Sequence, residues 1–213
     1  MIKVGAVVLA AGQSSRYSAA GGTEATKLVA EISGKPIVRH VVEAAWASRA
    51  RPVTVIVGYA RERVEAALAG LPATIAVNPD FATGLASSLR TGLRALPSDV
   101  AATLVLLGDM PNVDPGLIDR LIDAFEAAPE ARAIAPVQEG RRGNPVLLAR
   151  TLFDDAMRLQ GDEGARRLLA GLDAGQIIEI DAAGSDASVD VDTPEDLTAA
   201  SAVGPVDNGR RSD

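Results

Sequence analysis

Short apolar runs that alternate with segments of helical period restrict this chain more than any other feature. Runs at 3–9, 53–57, 74–77, 102–108, 132–137, 145–148 and 176–180 have strand length, with a shorter one near 188–191. Gly34-Lys35-Pro36 puts a proline at a helix start, and Ile37, Val38, Val41, Val42, Ala45 and Trp46 then form one stripe. Leu85, Leu89, Leu93 and Leu96 mark a second helix, and Ile118, Leu121, Ile122 and Phe125 a third. Leu168, Leu169 and Leu172 mark another. Strands that alternate with helices read as an α/β chain with a mainly parallel sheet covered on both faces. The pattern changes after residue 136, where two strand-like runs flank the polar turn Gln138-Glu139-Gly140-Arg141-Arg142-Gly143 and read as a hairpin added to the sheet. Residues 1–198 are expected to form a single domain, and the small, polar residues 199–213 a disordered tail.

Composition narrows the partners. Of 213 residues, 47% are hydrophobic but only 3% aromatic, so the core must be built from Val, Leu, Ile and Ala. The absence of cysteine excludes disulfides and thiol chemistry and fits a cytoplasmic protein. The N-terminus lacks the layout of a signal peptide, and no apolar run approaches the ~20 residues of a spanning helix, so no membrane association is expected. A net charge of −7 argues against nucleic acid as a partner. The charge is uneven: residues 1–63 hold nine Lys/Arg against four Asp/Glu, and the remainder 12 against 24. This would place an anion-binding half opposite a carboxylate-bearing half, although solvated faces account for it equally simply.

The first strand runs into Leu9-Ala10-Ala11-Gly12-Gln13-Ser14-Ser15-Arg16, followed by Lys27. Small side chains let backbone N–H groups approach an anion, and two cations can neutralise it. The loop is neither a Walker loop nor the three-glycine dinucleotide fingerprint. Gly108-Asp109-Met110-Pro111 ends the most continuous apolar strand, so Asp109 falls at a carboxyl strand end, where open α/β sheets place ligands. In Asp190-Val191-Asp192-Thr193-Pro194-Glu195-Asp196, Thr193 reads as a helix N-cap, Pro194 as the first helical residue and Asp196 as the partner in a capping box. That leaves Asp190 and Asp192 unexplained by capping, and Asp109 with one or both of them could hold Mg²⁺ through oxygen ligands. Gly84-Leu85-Ala86-Ser87-Ser88 opens a helix whose hydroxyls and N–H groups suit a base or phosphate, or plain capping. Arg141-Arg142-Gly143-Asn144-Pro145 reads as a solvated hairpin tip able to meet an anionic acceptor, and His40 as a surface or paired histidine.

In order along residues 3–198, these stretches resemble the MobA-like NTP transferase family, and within it the molybdenum cofactor cytidylyltransferase branch. The resemblance rests on Val8-Leu9-Ala10-Ala11-Gly12, Arg16, Lys27-Leu28, Gly34-Lys35-Pro36 with His40, and Gly84-Leu85-Ala86-Ser87-Ser88-Leu89. It continues through Gly108-Asp109-Met110-Pro111, Arg142-Gly143-Asn144-Pro145-Val146-Leu147, Gly161-Asp162-Glu163-Gly164-Ala165-Arg166 and Asp190 to Leu197. Ala11 matches the cytidylyl-type Leu-Ala-Ala-Gly. Two departures stand out: the Tyr17–Thr26 insertion is longer than the branch shows, and Asn144 replaces its frequent histidine.

The resemblance implies a three-layer, Rossmann-like fold of the nucleotide-diphospho-sugar transferase type, with a mostly parallel mixed sheet. It implies transfer of CMP from CTP to a phosphomonoester acceptor such as molybdenum-molybdopterin, with release of pyrophosphate and a molybdoenzyme receiving the product. Leu9, Ala10, Ala11 and Gly12 would hold the triphosphate with Arg16 and Lys27, the two catalytic cations. Asn78, Ser87 and Ser88 would meet the nucleoside. Asp109 and Asp192 would hold Mg²⁺, with Asp190 a third or outer-shell contributor. Lys27→Ala and Asp109→Ala are each expected to abolish transfer with the fold intact. A guanylyl- or other nucleotidyltransferase, a nicotinamide-dependent oxidoreductase on the same scaffold, and a non-catalytic cofactor carrier are the other readings.

Overall fold

The computed structural model describes residues 2–182 and 191–203. Its strands are β1 (Val4–Ala10), β2 (Glu31–Ile32), β3 (Lys35–Pro36), β4 (Val53–Val57), β5 (Thr74–Val77), β6 (Ala102–Leu107), β7 (Ala133–Gln138), β8 (Arg141–Arg142), β9 (Val146–Ala149) and β10 (Ile177–Asp181). The helices are α1 (Ser15–Ala19), α2 (Ile37–Ala47), α3 (Arg61–Ala67), α4 (Leu85–Ala95), α5 (Pro115–Ala127), α6 (Phe153–Ala156), α7 (Ala165–Ala170) and α8 (Pro194–Val203).

The main sheet has the order β10-β7-β9-β6-β1-β4-β5, with β8 paired to β7. β1 lies between β4 and β6 and is parallel to both, and β4–β5 and β7–β10 are also parallel. β9 alone reverses direction within that order, inserting antiparallel between β6 and β7. The fold is therefore the mostly parallel, mixed, Rossmann-like sheet expected, with helices on both faces.

Strand alternation sorts the core into two layers. Ala6 and Val8 of β1 and Leu104 and Leu106 of β6 face α2, α3 and α5, where Val38, Val41, Val64, Leu117, Ile118 and Leu121 pack. Val7, Leu9 and Val105 face the other way, toward Leu89 and Leu93 of α4, Phe153 of α6 and Leu168 and Leu169 of α7. Among the described residues, no helix is long and apolar enough to cross a membrane.

Four details differ from the sequence reading. Trp46 is not on the buried stripe: it lies one position round the helix from Ala45, is 38% exposed, and is covered by the Arg51 guanidinium 3.8 Å from its ring centroid. The expected hairpin is present as β7 and β9, but the chain first turns tightly at Glu139-Gly140, both with positive φ, to form β8. A second small hairpin, β2–β3, turns at Ser33-Gly34 and precedes α2, with Pro36 at the helix start. Finally, α8 continues past residue 198 to Val203 because Ala200 is buried against Tyr17, Ile32 and Val191. Residues 188–190 of the short strand expected near 188–191, Asp190 among them, lie outside the described residues.

Candidate active site

The carboxyl ends of β1 and β6 open onto a cleft of about 520 Å³. Leu9, Ala11, Gly12, Arg16, Lys27, Ser88, Asp109 and Asp192 all line it, although they are drawn from most of the length of the chain. Ala10 lies just behind, buried at the end of β1.

Three charged groups form the centre. Lys27 Nζ lies 2.7 Å from Asp109 Oδ2 and 2.7 Å from Asp192 Oδ1. Arg16 donates to the other oxygen of Asp192. Lys27 is only 9% exposed, and burial works against its charge. The charge of Asp109 and hydrogen bonds from both carboxylates outweigh burial, and the ammonium is held above the usual lysine range.

Local structure explains why these groups converge. Gly108 lets β6 end against β1: its N–H donates to Leu9 C=O at 2.9 Å, and a Cβ there would lie 3.0 Å from that oxygen. Asp109 follows at once, and its own C=O accepts Val191 N–H at 3.0 Å, which brings the next residue, Asp192, alongside. The capping box read from sequence then fixes Asp192. Asp196 Oδ2 accepts from the backbone N–H of Asp192 at 3.1 Å and of Thr193 at 2.8 Å, and Thr193 Oγ1 accepts from Asp196 N–H at 3.2 Å. Lys27 is placed by Ser14, whose Oγ accepts the Lys27 N–H at 3.2 Å and bonds Thr26 Oγ1 at 2.8 Å.

Asn78 and Ser87 are placed differently from the expectation. Asn78 Nδ2 donates to Ser87 Oγ at 2.8 Å and to Ser88 Oγ at 3.0 Å, and Ser87 Oγ donates to the carbonyls of Asp80 and Gly84. Neither residue lines the cleft; Asn78 orients Ser88, which does. His40 is not in the cleft; its Nε2 bonds Ile32 C=O at 3.0 Å, tying α2 to β2. Arg142 pairs with Glu179 at 2.6 Å and, with Asn144 and Arg166, lines a separate hollow of about 110 Å³.

Sequence reasoning missed Gln13, Tyr17, Phe81 and Asp162, which also line the cleft. A signal for Asp162 was present in Gly84 and Gly161. Gly84 has φ 107°, and a Cβ on it would fall 2.3 Å from the Gly161 backbone, which packs there and carries Asp162 to the rim. Gly84→Ala is therefore expected to cost about 2–4 kcal/mol, from a left-handed backbone and a backbone clash together. Urea denaturation checks this; an unchanged midpoint would mean that the 160–164 loop is not held against Gly84.

The donors also suit a magnesium ion. Asp109 Oδ1 is buried without a hydrogen-bond partner, so a strong acceptor waits beside the cleft. Among the described residues no three His, Cys, Asp or Glu converge as a metal cage. Asp109 and Asp192 are hard oxygen donors of the kind Mg²⁺ takes, one or two carboxylates with phosphate oxygens and water completing the shell.

A loop of small residues, a lysine held between two carboxylates and a cleft at the strand ends of a mostly parallel sheet suit the nucleotidyltransferase class. The MobA-like NTP transferase domain model matches residues 6–177, and the chain belongs to that family. It is 32% identical to the 2-C-methyl-D-erythritol 4-phosphate cytidylyltransferase of Pelotomaculum thermopropionicum, over 99% of this chain and 98% of that one. It is 35% identical to the bifunctional protein GlmU of Leifsonia xyli over 60% of this chain, which spans only 26% of that longer relative. The crystal structure of Rv0371c from Mycobacterium tuberculosis superposes with a TM-score of 0.81 at 27% identity, covering 94% of this chain and 98% of that one. A manganese complex of Rv0371c aligns with a TM-score of 0.77 at 25% identity, over 92% and 97%.

Proposed function

We propose that the protein transfers CMP from CTP to a phosphomonoester acceptor of the molybdenum-molybdopterin kind and releases pyrophosphate. The observation that carries this is the Lys27 ammonium held between Asp109 and Asp192 beside the small-residue loop, with Asp109 Oδ1 still free to bind. The similarity to an enzyme named as a cytidylyltransferase of 2-C-methyl-D-erythritol 4-phosphate supports the nucleotide and the phosphomonoester class of acceptor.

The acceptor's phosphate oxygen attacks the α-phosphorus in line, a new P–O bond forms, and the bond to the β-phosphate breaks with its electron pair leaving on pyrophosphate. The nucleophile needs no general base, because a phosphomonoester's second pKa is about 6. This fits a cleft without histidine, since the single His40 is engaged elsewhere. Positioning and charge neutralisation remain, and the chain supplies both. The Ala11 and Gly12 amides take phosphate oxygens at the loop. Arg16 and Lys27 turn from the carboxylates to the triphosphate and then to the charge growing on the leaving pyrophosphate. Ser88, oriented by Asn78, meets the nucleoside. Asp109 and Asp192 would hold Mg²⁺, which when bound neutralises phosphate charge; Rv0371c has been crystallised with manganese.

A thermal-shift comparison of CTP, GTP, ATP and UTP in excess Mg²⁺ tests the reading. A nucleotide at about a hundredfold over its Kd adds roughly 2.7 kcal/mol, or about 5–10 °C for a chain of this size. The largest shift is expected with CTP, and a larger shift with GTP would overturn the cytidylyl assignment.

A further inference from the structure

Tyr17 to Thr26 separate Arg16 from Lys27, yet the two cations do not need the span. Its ends are already joined through Ser14, Thr26 and Lys27. A closed loop gains length at small entropic cost, so its content asks for its own explanation. That content is organised around one ring. Tyr17 is 2% exposed, and Gly22 lies so close that a Cβ there would fall 2.0 Å from the ring's Cε1. Gly22 N–H donates to Tyr17 C=O at 3.0 Å, and the Tyr17 hydroxyl donates to Glu24. Burial, then the hydrogen bond and charge of Glu24, push the phenol up to about 12, so it stays a neutral donor.

Tyr17 also meets the segment that carries Asp192. It shares a small apolar cluster with Ala30, Ile32, Ile37, Val191 and Ala200, and Leu197 packs against that cluster. Val191 immediately precedes Asp192, and Leu197 lies one turn into α8. Arg16, the residue before Tyr17, binds the Asp192 carboxylate. Consecutive residues of α1 therefore hold this segment twice, by apolar packing and by charge.

We propose that Tyr17 is a positioning residue for nucleotidyl transfer: its ring seats the Val191–Leu197 segment, so that Asp192 reaches Lys27 and the incoming nucleotide. The proposal rests on the assignment of Asp192 to the nucleotide site. The Tyr17–Thr26 insertion thereby gains a role, as an internal prop for the Asp192 carboxylate.

The test uses the full chain with Tyr17→Ala, Tyr17→Phe and, as reference, Asp192→Asn. Hydrogen exchange of Val191–Leu197 is followed without ligand, and CTP binding in excess Mg²⁺ is measured by calorimetry. Tyr17→Ala should speed exchange across Val191–Leu197 by about tenfold while β1 and β6 stay protected. It should also weaken CTP binding by about tenfold, the scale of losing a supporting group at a metal site. Tyr17→Phe keeps the ring and should restore both to within about twofold of the parent. Unchanged exchange in Tyr17→Ala, equal loss of protection in β1 and β6, or failure of Tyr17→Phe to rescue would each overturn the seat. If Tyr17→Ala loosens the segment but Asp192→Asn binds CTP like the parent, the seat is supported and the nucleotide role of Asp192 falls.

Discussion

Asp109→Asn is expected to lower nucleotidyl transfer by about a thousandfold, the scale seen when a group that neutralises transition-state charge is removed. The melting temperature should stay within about 2 °C of the parent. Asp109 stands just beyond the end of β6, in the cleft rather than the core, so the amide fits the same space. Lys27 keeps its second carboxylate, Asp192, and is not left without a counterion. What changes is the buried, unpartnered Oδ1. In the variant one of the two side-chain oxygens becomes an NH₂, and the formal charge that favours a divalent cation is gone. Turnover at saturating Mg²⁺, read beside a thermal melt, checks both halves. Activity within about tenfold of the parent would remove Asp109 from the metal assignment.

Lys27→Met should lose transfer on a similar scale and also lose stability, by about 2 kcal/mol. The ammonium is buried, and its removal leaves the neighbouring Asp109 and Asp192 carboxylates without the cation between them. Breaking a fully buried pair costs about 3–5 kcal/mol. The figure is lower here because the two carboxylate side chains are 21% and 25% exposed, and Arg16 still reaches Asp192. The urea midpoint should fall, and Mg²⁺ should return part of the loss by supplying the missing positive charge. A midpoint equal to the parent's would show that Lys27 is not the counterion of this pair.

Most of the sheet was legible because its signals are local. The apolar runs of β1, β4, β6, β7 and β10 are bounded by turn residues, and tertiary packing had nothing to override. The capping box at Thr193–Asp196 was legible for the same reason: its partners are three residues apart. The two-residue strands β2, β3 and β8 were not: Gly34 and Gly140 mark the turns, but strands this short carry no period to read, and Ser33 and Glu139 do not advertise the positive φ they adopt. Within the site, Asp109 was read from its place at a strand end, Lys27 as a cation that follows the small-residue loop, and Asp192 as a carboxylate that capping leaves unexplained. Their mutual 2.7 Å contacts depend on Val191 N–H reaching Asp109 C=O, a bond across 82 positions that no periodicity announces. The same holds for Asn78. Its residue type suits a base contact, and only the packing shows its amide turned toward Ser87 and Ser88.

Trp46 has a practical consequence. It is the one tryptophan in the chain, set near the end of α2 under the Arg51 guanidinium. Arg51 and Pro52 lead into β4, whose opposite, carboxyl end faces the cleft side of the sheet. Intrinsic emission therefore samples the corner where α2 meets the sheet, remote from the nucleotide. It should respond when that corner opens on denaturation and stay silent when the cleft fills, which makes it a clean optical gauge of folding and a poor one of ligand binding.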